Sequence, residues 1–277
     1  MEYLMTYGWA ILAIAIVMVS LYSLGIFNLS NLAPTAIPGS CQVLRTAAQT
    51  SLAGQCGNLI PKYVARFNGQ NSVISLSASS ALLNPINYIT IVAWVRPSTS
   101  SVGTIVAKNG PYYLGFGNPS IGASDCVGGG ILTSTWHWTC GNTAIKISVW
   151  SQVAITYNGS TELVYLNGKV DNTAAQSGTM PITGDITSVG YDTPGYNQYF
   201  NGSIANIQIY NISLDNVTVK RLYQAGIGGA PIDVQHLVGW WPLNGNGNDY
   251  SGNNYQGTPT NVIWNANWQS GYTAPTT

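Results

Sequence analysis

Residues 199–226, YFNGSIANIQIYNISLDNVTVKRLYQAG, carry a strand, a cap and a short helix in one run. From Ser203 to Tyr210 the side chains alternate, with Ala205, Ile207 and Ile209 on one face and Asn206, Gln208 and Tyr210 on the other. A period of two is that of a β-strand. The pattern then changes. Ser213 or Asp215 offers a side-chain oxygen to cap a helix, Val219, Leu222 and Tyr223 form an apolar stripe at helical spacing, and Gly226 ends it. Upstream, the runs 89–95 (ITIVAWV), 153–157 (VAITY) and 162–166 (ELVYL) are β-branched and aromatic, as strands require. Asn-Gly pairs begin at Asn68, Asn109, Asn158, Asn167, Asn201, Asn244 and Asn246. Such pairs accept the positive φ values of a type I′ hairpin turn. Many strands at hairpin spacing, with one short helix, predict an antiparallel β-sandwich or jelly roll.

Four motifs in order sharpen that prediction: YVARFNGQNSVISL (63–76), ITIVAWVRP (89–97), VAITYNGSTELVYLNGK (153–169) and the opening stretch. Together, from Tyr63 to Gly226, they resemble a concanavalin A-like (laminin-G-like) jelly roll. The resemblance implies a closing helix packed beside the final strand, and loops at one edge that bind sugars or proteins, frequently with calcium. The tail, LVGWWPLNGNGNDYSGNNYQGTPTNV (Leu237 to Val262), resembles the opening strand and loop of the same fold, which normally precede YVARFNG. It is expected to supply the first strand from the other end of the chain, a permutation; a truncated second repeat is the alternative. A fragment of about 35 residues cannot bury its own core, and Trp240, Trp241, Trp264 and Trp268 need cover. The jelly-roll domain is therefore set at 61–277, with 237–277 as its permuted first-strand region.

The N-terminal stretch is of another kind. Leu4 to Phe27, LMTYGWAILAIAIVMVSLYSLGIF, has no charged side chain. As a helix it would span about 36 Å, against about 30 Å of hydrocarbon in a bilayer. It is apolar all round and so must be buried in lipid or among other helices. A secretory signal would need a basic start and a small-residue cleavage site, and neither is present; a plain membrane anchor remains open. MEYLMTYGWAIL resembles the mature N-terminus of archaeal type IV pilin-like proteins, from Glu2 to about Asn28. The resemblance implies a helix inserted in the membrane before assembly and lying in a filament core afterwards, with Glu2 neutralising the terminal amine of a neighbouring subunit. The family's precursors carry a short basic leader cut after glycine; the sequence lacks it, which implies a late start or a shortened form. The expected fold class is thus mainly β: a long N-terminal apolar α-helix (1–28), a linker with a disulfide-closed loop (29–60), and the antiparallel β-sandwich.

Composition limits the chemistry. Charged residues are 6% of the chain, with Lys plus Arg and Asp plus Glu at nine each. No basic patch exists to hold a phosphate backbone, which excludes nucleic acid. So few charges would also suit an acidic habitat. Four cysteines allow three connectivities, and spacing alone cannot choose. The local pairs Cys41–Cys56 and Cys126–Cys140 are expected, each closing a loop worth about 3 kcal/mol. Zinc is the rival reading, but there is no C-x-x-C and His137 lies far from His236 in the chain. Sequons at Asn28, Asn158, Asn201, Asn211 and Asn216 agree with disulfides in predicting a cell-surface protein outside the cytoplasm.

Catalysis is not expected. Glycoside hydrolysis needs two carboxylates flanking the bond, and after Glu2 the single glutamate is Glu162. The run Trp136-His137-Trp138, next to Cys140, is better explained as an aromatic strand beside a disulfide than as a site. Asp192 and Asp249 are candidate calcium ligands, or else they hold their loops; no other cofactor is implied. Tyr191, Tyr196, Tyr199 and Tyr250 could stack on sugar rings or face a neighbouring subunit. Two functions follow. One is a structural subunit of a pilus-like surface filament, partnered by copies of itself. The other is a membrane-anchored, lectin-like adhesin that binds glycans or proteins of a neighbouring cell surface.

Overall fold

The computed structural model describes residues 2–23, 34–57, 59–76, 83–118, 123–192 and 198–276. The chain divides into two units, Met1–Pro34 and Thr35–Thr277.

In the first unit, α1 runs over Glu2–Ser23. Here the sequence expectation is corrected. Among the described residues no helix is long and apolar enough to cross a membrane. Residues 24–27 of the apolar run lie outside the described set, and within the remainder Ser20 turns its hydroxyl back onto the Ile16 carbonyl at 2.8 Å. The long membrane-crossing helix therefore drops out of the fold class, which is mainly β. The side chain of Glu2 and the sequon at Asn28 also lie outside the described residues.

The second unit is a sandwich of two antiparallel sheets with two small additions. β1 (Thr35–Ala36) pairs in parallel with β4 (Ile60–Pro61), and β2 (Cys41–Arg45) forms a hairpin with β3 (Thr50–Gly54). The eight-stranded sheet contains β5 (Val64–Asn68), β7 (Ile89–Pro97), β12 (Ser151–Tyr157), β13 (Thr161–Leu166), β14 (Lys169–Ala175), β16 (Asn201–Tyr210), β17 (Leu237–Trp241) and β19 (Ile263–Asn265). The seven-stranded sheet contains β6 (Val73–Leu76), β8 (Gly103–Lys108), β9 (Tyr112–Asn118), β10 (Ala123–Leu132), β11 (Trp136–Ala144), β15 (Thr187–Val189) and β18 (Gly257–Thr260). Its order is β11-β10-β9-β8-β15-β6-β18. Inward-facing side chains of both sheets, among them Ile91, Val153 and Ile155 from one and Ile105, Leu114 and Val127 from the other, form a single core.

The tail is woven into both sheets. β17 pairs with β16, β18 with β6, and β19 with β5. Strand β16 meets β5 along Asn201–Ile204 and β17 along Ile207–Tyr210, so the tail strand continues the flank where β5 ends. At that junction β16 carries a bulge between Ala205 and Gln208, with Asn206 at φ 49°. One extra residue reverses which face follows. Ile204, Ile207 and Ile209 point into the sandwich core, whereas Ala205 joins a separate outer cluster with Val64, Trp94 and Trp268. The strict alternation expected from Ser203 to Tyr210 is broken there.

α2 (Asn216–Gln224) is capped by Asp215, whose carboxylate accepts from the Thr218 amide at 2.7 Å. Its buried Val219 and Leu222 pack with Tyr165, Tyr210 and Trp240. Cys41–Cys56 ties the start of the β2–β3 hairpin to the turn beyond it, and Cys126–Cys140 bridges β10 and β11. The hairpin clasps the tail: Val43 donates its amide to the Tyr250 carbonyl, and Arg45 donates to the carbonyls of Val234, Leu237 and Ser251.

Candidate functional site

Alternation sets the two faces of the seven-stranded sheet. In β10, Val127 and Ile131 join the core, so Gly130 faces outward. Register places Trp138 of β11 on one side of Gly130 and Tyr113 of β9 on the other. The same row continues through Ala107, Ser188, Ser75 and Thr258 on β8, β15, β6 and β18. One transverse row therefore begins with large aromatics at the β11 edge and ends in small and hydroxyl side chains.

Glycine at 130 is required by this packing. A Cβ there would lie 2.9 Å from the Trp138 ring and 3.3 Å from Tyr113 Cβ. Trp138 meets Tyr113 edge to face, with centroids 5.1 Å apart, and stacks on Trp136 at 5.1 Å with the planes 18° apart. Trp136 is exposed. Tyr113 is sealed: its hydroxyl donates to the Gly103 carbonyl at 3.4 Å, and burial pushes its phenol above the usual range, with the charge of Asp192 adding to the shift. The segment after β15 thus comes up beside Tyr113. It brings Tyr191, stacked on Tyr199 with centroids 4.4 Å apart. Both tyrosines are half-buried.

The other residues singled out from the sequence are placed differently. Tyr196 lies outside the described residues. Tyr250 packs on Trp240 and accepts from the Asn246 amide in the tail loop. Asp249 is also in that loop, where its carboxylate accepts from the amides of Trp240, Ser251 and Tyr255 and from the Ser251 hydroxyl. Asp192 and Asp249 are therefore set in different surroundings. Among the described residues no group of three or more His, Cys, Asp or Glu is placed to hold a metal ion. Of the sequons, Asn158, Asn211 and Asn216 are exposed and Asn201 is half-buried. Asn158 uses its side-chain oxygen to accept from the Ser160 and Thr161 amides, and Asn216 accepts from the Tyr165 hydroxyl.

Glu162 points inward. It is fully buried, and Thr139 of the opposite sheet donates to its Oε2 at 2.7 Å. Its Oε1 has no hydrogen-bond partner and lies against the Gly129 Cα, where a side chain would collide with it. Burial raises its pKa to about 7, and the Thr139 bond opposes that rise. An acid enclosed between two sheets cannot reach a glycosidic bond outside them.

The sequence missed the convergence on Tyr113. The Trp-x-Trp spacing on a strand was the available signal, since residues two apart share a face. The rest of the row comes from strands remote in sequence.

The family model of the concanavalin A-like lectin/glucanases superfamily matches residues 68–220. No curated protein matches the chain. Among solved structures, a Bacteroides ovatus protein to which carbohydrate binding is ascribed superposes with a TM-score of 0.59 at 16% identity, covering 80% of this chain. The chain spans 65% of that protein's length. The heptameric SAP-like pentraxin of Limulus polyphemus gives 0.45 at 12% identity, covering 61% of this chain and 84% of its own. The IT-sialidase CBM40 of Ruminococcus gnavus, bound to α2,3 sialyllactose, gives 0.44 at 16% identity, covering 57% and 97%.

Proposed function

The chain belongs to the concanavalin A-like lectin/glucanases superfamily, and we propose that it is a non-catalytic, glycan-binding protein of the cell exterior. The observation that carries this is the Trp136–Trp138 stack at the β11 edge, exposed at Trp136 and backed by the buried ring of Tyr113. Indole and phenol rings present apolar faces with polar tips, which suits the C–H face and hydroxyls of a sugar. The ascription of carbohydrate binding to the Bacteroides ovatus protein points the same way. Against the glucanase half of the superfamily stands Glu162, which is enclosed between the sheets. Two disulfides suit an oxidising compartment.

The test is a glycan array on the full chain, followed by calorimetry with the best ligand. Trp136→Ala is expected to weaken binding at least tenfold while the variant stays folded by circular dichroism, since Trp136 lies at the exposed end of the stack. Equal affinity in the variant, or no ligand on the array, would remove this proposal.

A second reading concerns α1. Tyr7, Trp9, Ile11, Ile14, Ile16, Val17 and Val19 are all exposed, an apolar surface on every side of one helix. Such a helix needs cover. Copies of the chain packed α1 against α1 would provide it, as in a filament subunit. Electron microscopy and sedimentation of the full chain should show assemblies that vanish when residues 1–34 are removed. A monomer at all concentrations would sink the filament reading and leave the glycan reading untouched.

A further inference from the structure

A cleft of about 670 Å³ opens between the β13–β14 hairpin and α2. That volume lies in the range of small-molecule sites. Its lining includes Asn167, Lys169, Asp171, Lys220, Tyr223 and Gln224.

The walls are fixed. Asn167 and Gly168 both have positive φ, 51° and 72°, and form the hairpin turn. The turn sits directly on α2: a Cβ at Gly168 would lie 2.8 Å from Tyr223 Cβ and 3.1 Å from Lys220 Cα. Asn167 is held by accepting the Gln152 amide at 2.9 Å, so its own amide group can still donate. Tyr223 stacks on Trp94, with centroids 5.7 Å apart and planes 17° apart. At the other end of α2, the Tyr165 hydroxyl donates to Asn216 at 2.7 Å. A ligand would meet a surface that is already ordered, so it would lose less entropy in ordering it.

The cleft's lining carries two cations, Lys169 and Lys220, against one anion, Asp171. Asp171 has both carboxylate oxygens engaged by Thr143, one by its amide and one by its hydroxyl. Among the described residues the ion pair formed is His236–Asp233, and neither Lys169 nor Lys220 is in one. Two of the nine Lys and Arg side chains thus border one cleft with no acid paired to them. Lysine ammonium groups act as point charges with three donors each and suit a carboxylate. Amides of Asn167 and Gln224 offer donors and acceptors for hydroxyls, and Tyr223 gives an apolar wall. Two lysines are too few for a nucleic acid backbone, and a bare inorganic anion would leave most of the volume empty.

We infer that this cleft is a second binding site, separate from the aromatic row, for a carboxylate-bearing sugar of the uronic acid class. Calorimetry on the full chain with trigalacturonate, and with maltotriose as the neutral trisaccharide, tests it. Trigalacturonate is expected to bind, to lose at least tenfold in affinity in the double variant Lys169→Ala, Lys220→Ala, and to weaken as salt rises from 50 to 300 mM. Circular dichroism of the double variant checks that it folds. Three results would overturn the site: no binding of trigalacturonate, equal binding of maltotriose, or undiminished affinity in the folded double variant. Loss of trigalacturonate binding in Trp136→Ala would place the ligand on the aromatic row and likewise overturn it. Failure of the aromatic row with neutral glycans is a separate outcome and does not touch the cleft.

Discussion

The tail loop and the sandwich interior each bury a carboxylate and treat it in opposite ways. Asp249 is 8% exposed and accepts four hydrogen bonds, three of them from backbone amides. Glu162 is 0% exposed and accepts one, from a side-chain hydroxyl, leaving Oε1 unpartnered. The cause lies in what the surrounding backbone has left to give. Glu162 projects from β13 toward β10, whose amides are committed to pairing with β9 and β11, and toward the edge strand β11, whose amides lie in the plane of its sheet. The loop from Asp249 to Tyr255 has amides not used by any ladder, and a carboxylate can gather them. Burial is common to both sites, and the supply of free donors decides which acid acts as a clasp and which is a strain.

The sharpest way to break that contrast is to remove the clasp. Asp249→Ala would leave the amides of Trp240, Ser251 and Tyr255 without their acceptor. Leaving buried donors unmet costs about 1–3 kcal/mol each, and partial access of water reduces the sum. We expect a loss of about 3–5 kcal/mol, or roughly 10 °C in melting temperature. Asp249→Asn keeps one acceptor oxygen and should lose about half as much. Chemical denaturation measures both. A loss under about 1 kcal/mol for the alanine variant would mean that water replaces the carboxylate and that the loop is not held by it.

The same question of neighbours explains what was legible in the sequence. Strand runs at 89–95, 153–157 and 162–166 fall within β7, β12 and β13, because periodicity and β-branching are local properties. Asp215 was one of two candidate caps, and the choice was made by geometry that spacing could not show. The bulge at Asn206 was hidden, since a single left-handed residue leaves no mark on a hydrophobic pattern. Of the seven Asn-Gly pairs, only Asn167-Gly168 has both residues at positive φ; in others the asparagine serves as a side-chain acceptor, as Asn68 does for three following amides. At the candidate site, Trp136 and Trp138 were visible as a motif, but their meaning depends on Tyr113 and Gly130, brought alongside by pairing between strands. Lys169 and Lys220 were unremarked because their cleft exists only where a hairpin turn lands on a helix.

The interior acid sets a smaller effect with a definite sign. In the unfolded chain Glu162 titrates near the ordinary glutamate value of 4.5, and in the fold burial moves it to about 7. Between those values the folded state keeps a proton that the unfolded state has released. Stability from this group is therefore complete below the unfolded pKa and is lost as pH rises through the folded one. A shift of that size corresponds to at most about 3 kcal/mol across the window. Tyr157, whose own pKa is raised by burial and by the charge of Glu162, stays neutral there and does not offset the change. The full chain should thus be more resistant to denaturant at pH 5 than at pH 8, in line with a composition so poor in charge. Glu162→Gln has no proton to lose and should flatten that dependence, overtaking the parent at pH 8 while matching or trailing it at pH 5. If the slope survives in the glutamine variant, other groups generate it. If the parent shows no slope, the interior relaxes enough to hydrate the carboxylate, and the contrast with Asp249 reduces to one of degree.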